Sequence, residues 1–205
     1  MEKKIWIALM LLGLVGCSAL RPQAITMTVA KESASAGEGQ SVTFKGKALP
    51  LEGKGIKVGD RLPAAVLSAN DLSPVNLAET GGKVRIISVV PSLDTPVCEK
   101  QTHALSERNG GLDKEVQLIT VSMDLPFAQK RFSKEAKIGN VLFLSDYKGA
   151  DFGKNYGLLI QPLHLLSRAV LVVDKENVVR HLQVVPEITS LPDLEAAMQA
   201  AKRLL

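Results

Sequence analysis

KVRIISVVPSLDTPVCEKQTHALSERN, residues 83–109, is the stretch that decides the fold of this chain. Residues 83–91 predict a buried β-strand, because a β-branched run follows Gly-Gly and ends at Pro91. Residues 98–109 predict a helix that stops at a second Gly-Gly pair. The sequence therefore places Cys98 directly after a strand, in the first turn of a helix. Unpaired N–H groups and the helix dipole favour an anion at that position.

Strands and helices alternate on both sides of this stretch. Residues 116–122 and 168–173 predict two more buried strands, 178–185 an edge strand, and 42–51 a small hairpin. A helix is predicted over 126–136 with Asp124 as its cap, and a C-terminal helix begins at a capping box of Ser190 and Asp193. The alternation predicts one α/β domain with a mostly parallel central sheet.

Composition excludes several classes of protein. The chain has 205 residues, 46% of them hydrophobic and 22% charged, which is typical of a globular domain and not of a disordered chain. Its net charge of +4 is not concentrated in a basic block, so we expect no nucleic-acid partner. The two cysteines, Cys17 and Cys98, exclude a disulfide framework, a CxxC redox pair and a cysteine-based zinc cluster. No pair of histidines has metal-ligand spacing, and we expect neither a metal nor a cofactor.

The N-terminus predicts export and lipidation. Residues 1–16 carry two lysines and a short apolar run that is below the length of a membrane span, as in a lipoprotein signal peptide. The sequence LVGC, residues 14–17, resembles a bacterial lipobox, so we expect cleavage before Cys17 and attachment of diacylglycerol to its sulfur. The alternative is an ordinary signal peptide or a start anchor. Residues 17–40 are expected to be a flexible tether, and residues 41–205 the folded domain, outside the cytoplasm at the periplasmic face or the cell surface.

Cys98 would be the free thiol of this exported protein. A buried structural cysteine and a reactive thiolate both fit its position when spacing alone is considered. The motif Pro-x-x-x-Thr-x-x-Cys, present as Pro91, Thr95 and Cys98, resembles the active-site motif of peroxiredoxins, and PSLDTPVC resembles the thiol peroxidase branch. The same branch is resembled by LPFAQKRF (125–132), LSDYKGADFGKNYGLLI (144–160), SRAVLVVD (167–174), and VPEIT followed by PD (185–193).

The resemblance covers roughly residues 41–205 and implies a thioredoxin-like fold, a central mixed sheet flanked by helices with an N-terminal β-hairpin, and a homodimer. It implies that Cys98 attacks the peroxide and becomes a sulfenic acid. Thr95 would hydrogen-bond the thiolate and the peroxide, Pro91 would shield the site, and Arg168 would be the active-site arginine. Without the resemblance, a surface ion pair is the simpler interpretation of Arg168.

One position departs from the thiol peroxidase pattern. The branch usually carries a resolving cysteine directly after the LPFAQ-x-RF segment, and this chain has Ser133 there. A hydroxyl group forms no disulfide, so the sulfenic acid is expected to need an external thiol, either a small thiol or a thioredoxin-like protein.

The leading hypothesis is a membrane-anchored thiol peroxidase that reduces hydrogen peroxide and organic hydroperoxides, with lipid hydroperoxides suggested by location alone. The absence of a resolving cysteine at position 133, which is Ser133 here, motivates an alternative: a non-catalytic binding or scaffold lipoprotein that keeps the peroxiredoxin fold. A redox-inert structural domain is a third interpretation. A Cys–His hydrolase is not favoured, because no recognisable spacing relates Cys98 to His103, His164 or His181.

Overall fold

The computed structural model describes residues 27–80 and 82–205, so the predicted signal peptide and Cys17 lie outside the described residues. The strands are β1 (Ser41–Phe44), β2 (Lys47–Glu52), β3 (Val66–Ala69), β4 (Pro74–Asn76), β5 (Arg85–Val89), β6 (Gln117–Ser122), β7 (Val141–Ser145), β8 (Leu159–Ile160), β9 (Leu165–Leu166), β10 (Ala169–Val173) and β11 (Val179–Val184). The α-helices are α1 (Pro96–Glu107), α2 (Pro126–Glu135), α3 (Asp151–Tyr156) and α4 (Leu194–Lys202). Among the described residues, none of the helices is both long and apolar enough to cross a bilayer.

A seven-stranded sheet in the order β11-β10-β5-β6-β7-β3-β4 forms the centre of the domain. Only the pairs β5–β6 and β6–β7 are parallel, and they are the pairs whose connections contain α1 and α2. The other neighbours are antiparallel, and among them β10–β11 and β3–β4 are joined by short turns. The mostly parallel sheet expected from the alternation of elements is therefore wrong, whereas the mixed sheet implied by the resemblance is present.

Both faces of this sheet are covered, which explains the continuous apolar runs of its central strands. On β5, Ile86 packs in the cluster that contains residues of α1 and α4, and Ile87 packs in the opposite cluster with α3. The predicted hairpin is present as β1 and β2, and β8 and β9 extend it into a second sheet. Cys98 belongs to the cluster beneath α1 and α4, so the fold places the sulfur inside the core.

The predicted flexible tether is corrected by the structure over residues 28–40. Val29 forms a parallel bridge with Leu191, and Ala34 forms an antiparallel bridge with Val184 of β11. The side chain of Gln183 donates to the carbonyl of Ala30, while Gly37 donates to a carbonyl at the end of α3. Polar and small residues dock here because backbone and polar side-chain hydrogen bonds make most of the contacts, while Ala34 and Ala36 pack against the core. We call residues 28–37 the N-terminal strap.

Helix boundaries also differ from the prediction. Helix α1 begins at Pro96, two residues earlier than expected, and Cys98 remains in its first turn. Asp193 is itself the cap of α4 and accepts from Ala196 N, whereas Ser190 contacts Thr28 of the strap, so the predicted capping box is wrong. Proline at the first position of α1 is favourable because that N–H has no helical partner.

Candidate active site

The end of β5 and the start of α1 position the candidate nucleophile. After Val89 the chain turns through residues 90–95, and Thr95 is the extended N-cap residue of α1. Cys98 is the third residue of the helix and has 0% exposed surface. Its sulfur therefore lies at the positive end of a helix, in a core that excludes bulk water.

Arg168 reaches this sulfur from the neighbouring strand of the sheet, because the start of β10 pairs with the end of β5. It directly precedes β10 and is only 2% exposed. Its Nη2 donates to Cys98 Sγ at 3.4 Å, its Nη1 to Gln101 Oε1 at 2.7 Å, and its Nε to the carbonyl oxygen of Ile188 at 2.8 Å. The interpretation of Arg168 as a surface ion pair is wrong, because the side chain is buried and contacts the sulfur.

Two partners of Arg168 were missed in the sequence. Gln101 lies one turn after Cys98 on α1, is fully buried, and also donates to Ser88 Oγ of β5 at 2.7 Å. A polar residue three positions from the cysteine was a usable signal, since such residues share a helix face. Ile188 contributes only its backbone carbonyl, which no side-chain pattern predicts.

Thr95 and Pro91 lie in the loop that leads to Cys98. Pro91 is buried, whereas Thr95 is exposed and its Oγ1 donates to the carbonyl of Ser92 at 3.1 Å. The structure therefore places both residues in the loop but shows no hydrogen bond from Thr95 to the sulfur. The role of Thr95 towards a bound peroxide stays a prediction.

Asp124 holds this loop rather than capping α2. Leu125 is the N-cap residue of α2, and its side chain makes no capping hydrogen bond. The Asp124 carboxylate accepts from Ser92 Oγ, from Leu93 N and from Ser122 Oγ, each at 2.7 Å. The same carboxylate thus joins the end of β6 to the Cys98 loop, and the predicted cap is corrected to a loop clamp.

A groove of about 560 Å³ opens beside this loop. It is lined by residues 93–96, by Glu99 and His103 of α1, and by Phe132, Glu135 and Ala136 of α2. His103 Nδ1 lies 2.7 Å from Glu107 Oε1, so its nearest partner is a carboxylate one turn along the helix. Ser133 lies on α2 next to the groove residue Phe132, and its hydroxyl donates to the carbonyl of Lys130.

In the described part of the chain, no group of three or more His, Cys, Asp and Glu side chains is arranged to hold a metal ion. The cluster that the structure does assemble is Cys98, Arg168 and Gln101, supported by Ile188 and Ser88. Such a cluster can stabilise a thiolate and donate forked hydrogen bonds to oxygen atoms beside it.

Comparison with known proteins gives a consistent family. A family model described as Redoxin matches residues 57–198. Curated thiol peroxidases of Halalkalibacterium halodurans and Streptococcus pneumoniae are 48% and 47% identical to this chain, over 80% of it and 99% of their own lengths.

Solved structures agree with this result. A peroxiredoxin-like protein from Aquifex aeolicus has a TM-score of 0.74 at 43% identity, covering 80% of this chain and 97% of that protein. A thiol peroxidase from Chromobacterium violaceum has a TM-score of 0.71 at 25% identity, covering 80% of this chain and 95% of that protein. The chain therefore belongs to the redoxin family, and it is a peroxiredoxin-type enzyme with a thioredoxin-like fold.

Proposed function

We propose that this protein is a thiol-dependent peroxidase in which Cys98 reduces hydrogen peroxide and organic hydroperoxides. The observation that carries the proposal is the buried contact between Arg168 Nη2 and Cys98 Sγ, at 3.4 Å. Within the described residues, the other partners of Arg168 are the neutral amide of Gln101 and a backbone carbonyl. A buried guanidinium without a carboxylate favours an anion beside it, and the sulfur is the ionisable group in contact.

The first half of the reaction consumes the thiolate. The sulfur of Cys98 attacks the terminal oxygen of the peroxide, the S–O bond forms, and the O–O bond breaks. The leaving oxygen takes the electron pair and a proton and departs as water or an alcohol, while Cys98 becomes a sulfenic acid. Arg168 and the N–H groups of the first turn of α1 stabilise the negative charge throughout this step.

The second half of the reaction requires an external thiol. That thiol condenses with the sulfenic acid and gives a mixed disulfide and water. A second thiol then attacks the reductant sulfur of the mixed disulfide, which releases the Cys98 thiol and a disulfide of the two reductant thiols. Ser133 supports this proposal, because its hydroxyl stands where the thiol peroxidase branch carries a resolving cysteine. The candidates for the reductant remain a small thiol and a thioredoxin-like protein. The groove between residues 93–96 and α2 gives either one an approach to the loop.

The lipoprotein assignment is also part of the proposal. It is supported by the lipobox at residues 14–17, which lies outside the described residues. The docked strap begins at Thr28, so a chain cleaved before Cys17 has a linker of roughly ten residues, which reaches about 35 Å when fully extended. A domain held that close to a bilayer meets lipid hydroperoxides as well as soluble peroxides. The anchor is tested by cell fractionation: we expect the wild-type protein in the membrane fraction and the Cys17→Ser variant outside it.

A homodimer completes the proposed assembly. The family resemblance suggests it, and an exposed apolar pair supports it: Leu125 and Phe127, at the start of α2, expose 51% and 64% of their surface. Sedimentation equilibrium on the chain from residue 18, with Phe127→Ser as the variant, measures the dimer directly.

The peroxidase proposal is tested on the same chain, residues 18–205, which keeps the docked strap. One equivalent of hydrogen peroxide is added, a sulfenic-acid reagent traps the product, and intact mass is followed with time. We expect rapid labelling that is lost in Cys98→Ser. A thiol that stays reduced in excess peroxide would contradict peroxidase activity and favour the scaffold alternative.

A further inference from the structure

The segment VPEIT, residues 185–189, resembles the family but has no assigned role in the reaction. Its Ile188 carbonyl accepts from Nε of Arg168 at 2.8 Å, and no other acceptor for Nε lies among residues 27–80 and 82–205. A guanidinium is planar, so the Nε hydrogen bond fixes the plane in which Nη1 and Nη2 point towards Gln101 and Cys98. The position of the Ile188 peptide therefore sets the direction of the contact with the sulfur.

The Ile188 peptide is held by β1 of the N-terminal hairpin. Its N–H donates to the carbonyl of Thr43 at 2.9 Å, and Thr43 N donates to the carbonyl of Pro186 at 2.6 Å. These bonds form a parallel bridge between Thr43 and Glu187, whereas β10 itself pairs with β11 and β5. The hairpin therefore holds in place the segment whose Ile188 carbonyl accepts the hydrogen bond from Arg168 Nε.

Glu187 fastens the two segments together through its side chain. Its carboxylate accepts from Thr43 Oγ1 at 2.8 Å, from Lys45 N and Gly46 N at 3.0 Å each, and from Thr189 Oγ1 at 2.8 Å. Lys45 and Gly46 have φ values of 51° and 78°, so both residues of the hairpin turn are left-handed. Such a turn strains Lys45, and a carboxylate that binds its N–H helps to hold that conformation.

We propose that Glu187 is a positioning residue: it locks the β1–β2 turn onto the segment whose Ile188 carbonyl aims Arg168 at Cys98. The predicted effect of Glu187 on the reaction with peroxide rests on the proposed function. The predicted dependence of the Arg168–Cys98 contact on Glu187 does not, because it involves no substrate. The Glu187 side chain hydrogen-bonds residues of the hairpin and Thr189, not Cys98, Arg168 or Gln101, and it acts on the guanidinium through the backbone carbonyl of the adjacent Ile188.

The test uses residues 18–205 and two reactions of Cys98. The first is alkylation by iodoacetamide, which reports the thiolate without peroxide, and the second is oxidation by hydrogen peroxide. Glu187→Gln keeps the shape of the side chain but replaces one acceptor oxygen by a donor. Glu52→Gln, at the end of β2 in the hairpin that Glu187 contacts, is the control, because the Glu52 side chain makes no hydrogen bond among the described residues. Thr43→Val is a milder variant that removes one bond to the carboxylate.

We expect Glu187→Gln to slow both reactions about tenfold, which is the size expected for loss of hydrogen bonds to a charged group. Thr43→Val should slow them less, and Glu52→Gln should change neither. In an Arg168→Gln background the effect of Glu187→Gln should vanish, because Glu187 influences Cys98 only by positioning the Arg168 guanidinium. This non-additivity is a readout that general destabilisation does not produce.

Equal effects of Glu187→Gln with and without Arg168, or no effect in either background, would overturn the proposal. If Glu187→Gln fails to fold, Thr43→Val is compared in the wild-type and Arg168→Gln backgrounds instead. An effect of Thr43→Val that does not depend on Arg168 would then overturn the proposal. A wild-type chain that alkylates in an Arg168-dependent way but ignores peroxide would overturn the proposed function instead. The coupling to Glu187 would then be judged on alkylation alone.

Discussion

Arg168 Nη2 donates to Cys98 Sγ at 3.4 Å, although the two residues are 70 positions apart in the chain. Cys98 comes from the first turn of α1, and Arg168 comes from the residue before β10. Strands β5 and β10 are antiparallel neighbours, so the end of one lies beside the start of the other. The sheet, rather than any local motif, therefore forms the active site.

Removal of the guanidinium should cost most of the peroxide reactivity. We expect Arg168→Gln to lower the rate constant of Cys98 with hydrogen peroxide by roughly a hundredfold or more, the usual size for a preorganised charge-stabilising donor. Arg180→Gln is the control, since the half-exposed Arg180 side chain is paired with Asp174 instead of the sulfur. Stopped-flow measurement of sulfenic-acid formation gives both rates. Comparable rates for the two variants would remove Arg168 from the mechanism.

The loop clamp should control access to the sulfur. Asp124→Asn replaces an acceptor of three hydrogen bonds, so we expect about 1–3 kcal/mol of lost stability and faster alkylation of Cys98 by bulky reagents. Asp71→Asn is the control, because Asp71 is exposed and its carboxylate accepts from Ser73 within its own turn. Urea unfolding and alkylation rates measure the two effects. Unchanged accessibility of Cys98 would show that residues 91–95 are held by other contacts.

Introduction of a resolving cysteine should change how the enzyme is recycled. We expect Ser133→Cys to form an intramolecular disulfide with Cys98 after one equivalent of peroxide, because position 133 lies on the helix that borders the Cys98 loop. The adjacent, exposed Lys134→Cys is the matched control and should form none. Intact mass under non-reducing conditions, with and without reductant, detects the bond. Equal disulfide yields in the two variants would contradict the expected geometry.

Glu187 should make the free energy of unfolding depend on pH in the acid range. Burial opposes its ionisation most strongly, but hydrogen bonds from Gly46, Lys45, Thr189 and Thr43 together lower the pKa of Glu187 from 4.5 to about 2. A lowered pKa in the folded state means that the contribution to stability is complete above pH 4.5 and is lost as the pH falls towards 2. Denaturant unfolding between these limits should show a smaller pH dependence for Glu187→Gln than for Glu52→Gln. Parallel curves for the two variants would refute the assignment.

Several features of the fold could be predicted from local patterns. The buried strands β5, β6 and β10, the β1–β2 hairpin and the edge strand β11 were all predicted within a few residues, because β-branched runs between Gly and Pro residues restrict the backbone locally. The strands β3, β4, β7, β8 and β9 are not predicted. They have two to five residues each, and pairing, rather than composition, makes them strands: β3, β7 and β8 pair with strands distant in sequence, while β4 and β9 pair with β3 and β8.

The sequence by itself determined that Cys98 follows a strand and begins a helix, since both signals lie within one 27-residue stretch. Only the tertiary structure decided what surrounds the sulfur. Arg168 is buried against it, Gln101 is shared with β5, the strap is docked rather than free, and Asp124 clamps a loop instead of capping a helix. These contacts join residues that are distant in sequence or act through backbone carbonyls. Their partners are fixed by strand order and packing, which local periodicity does not encode.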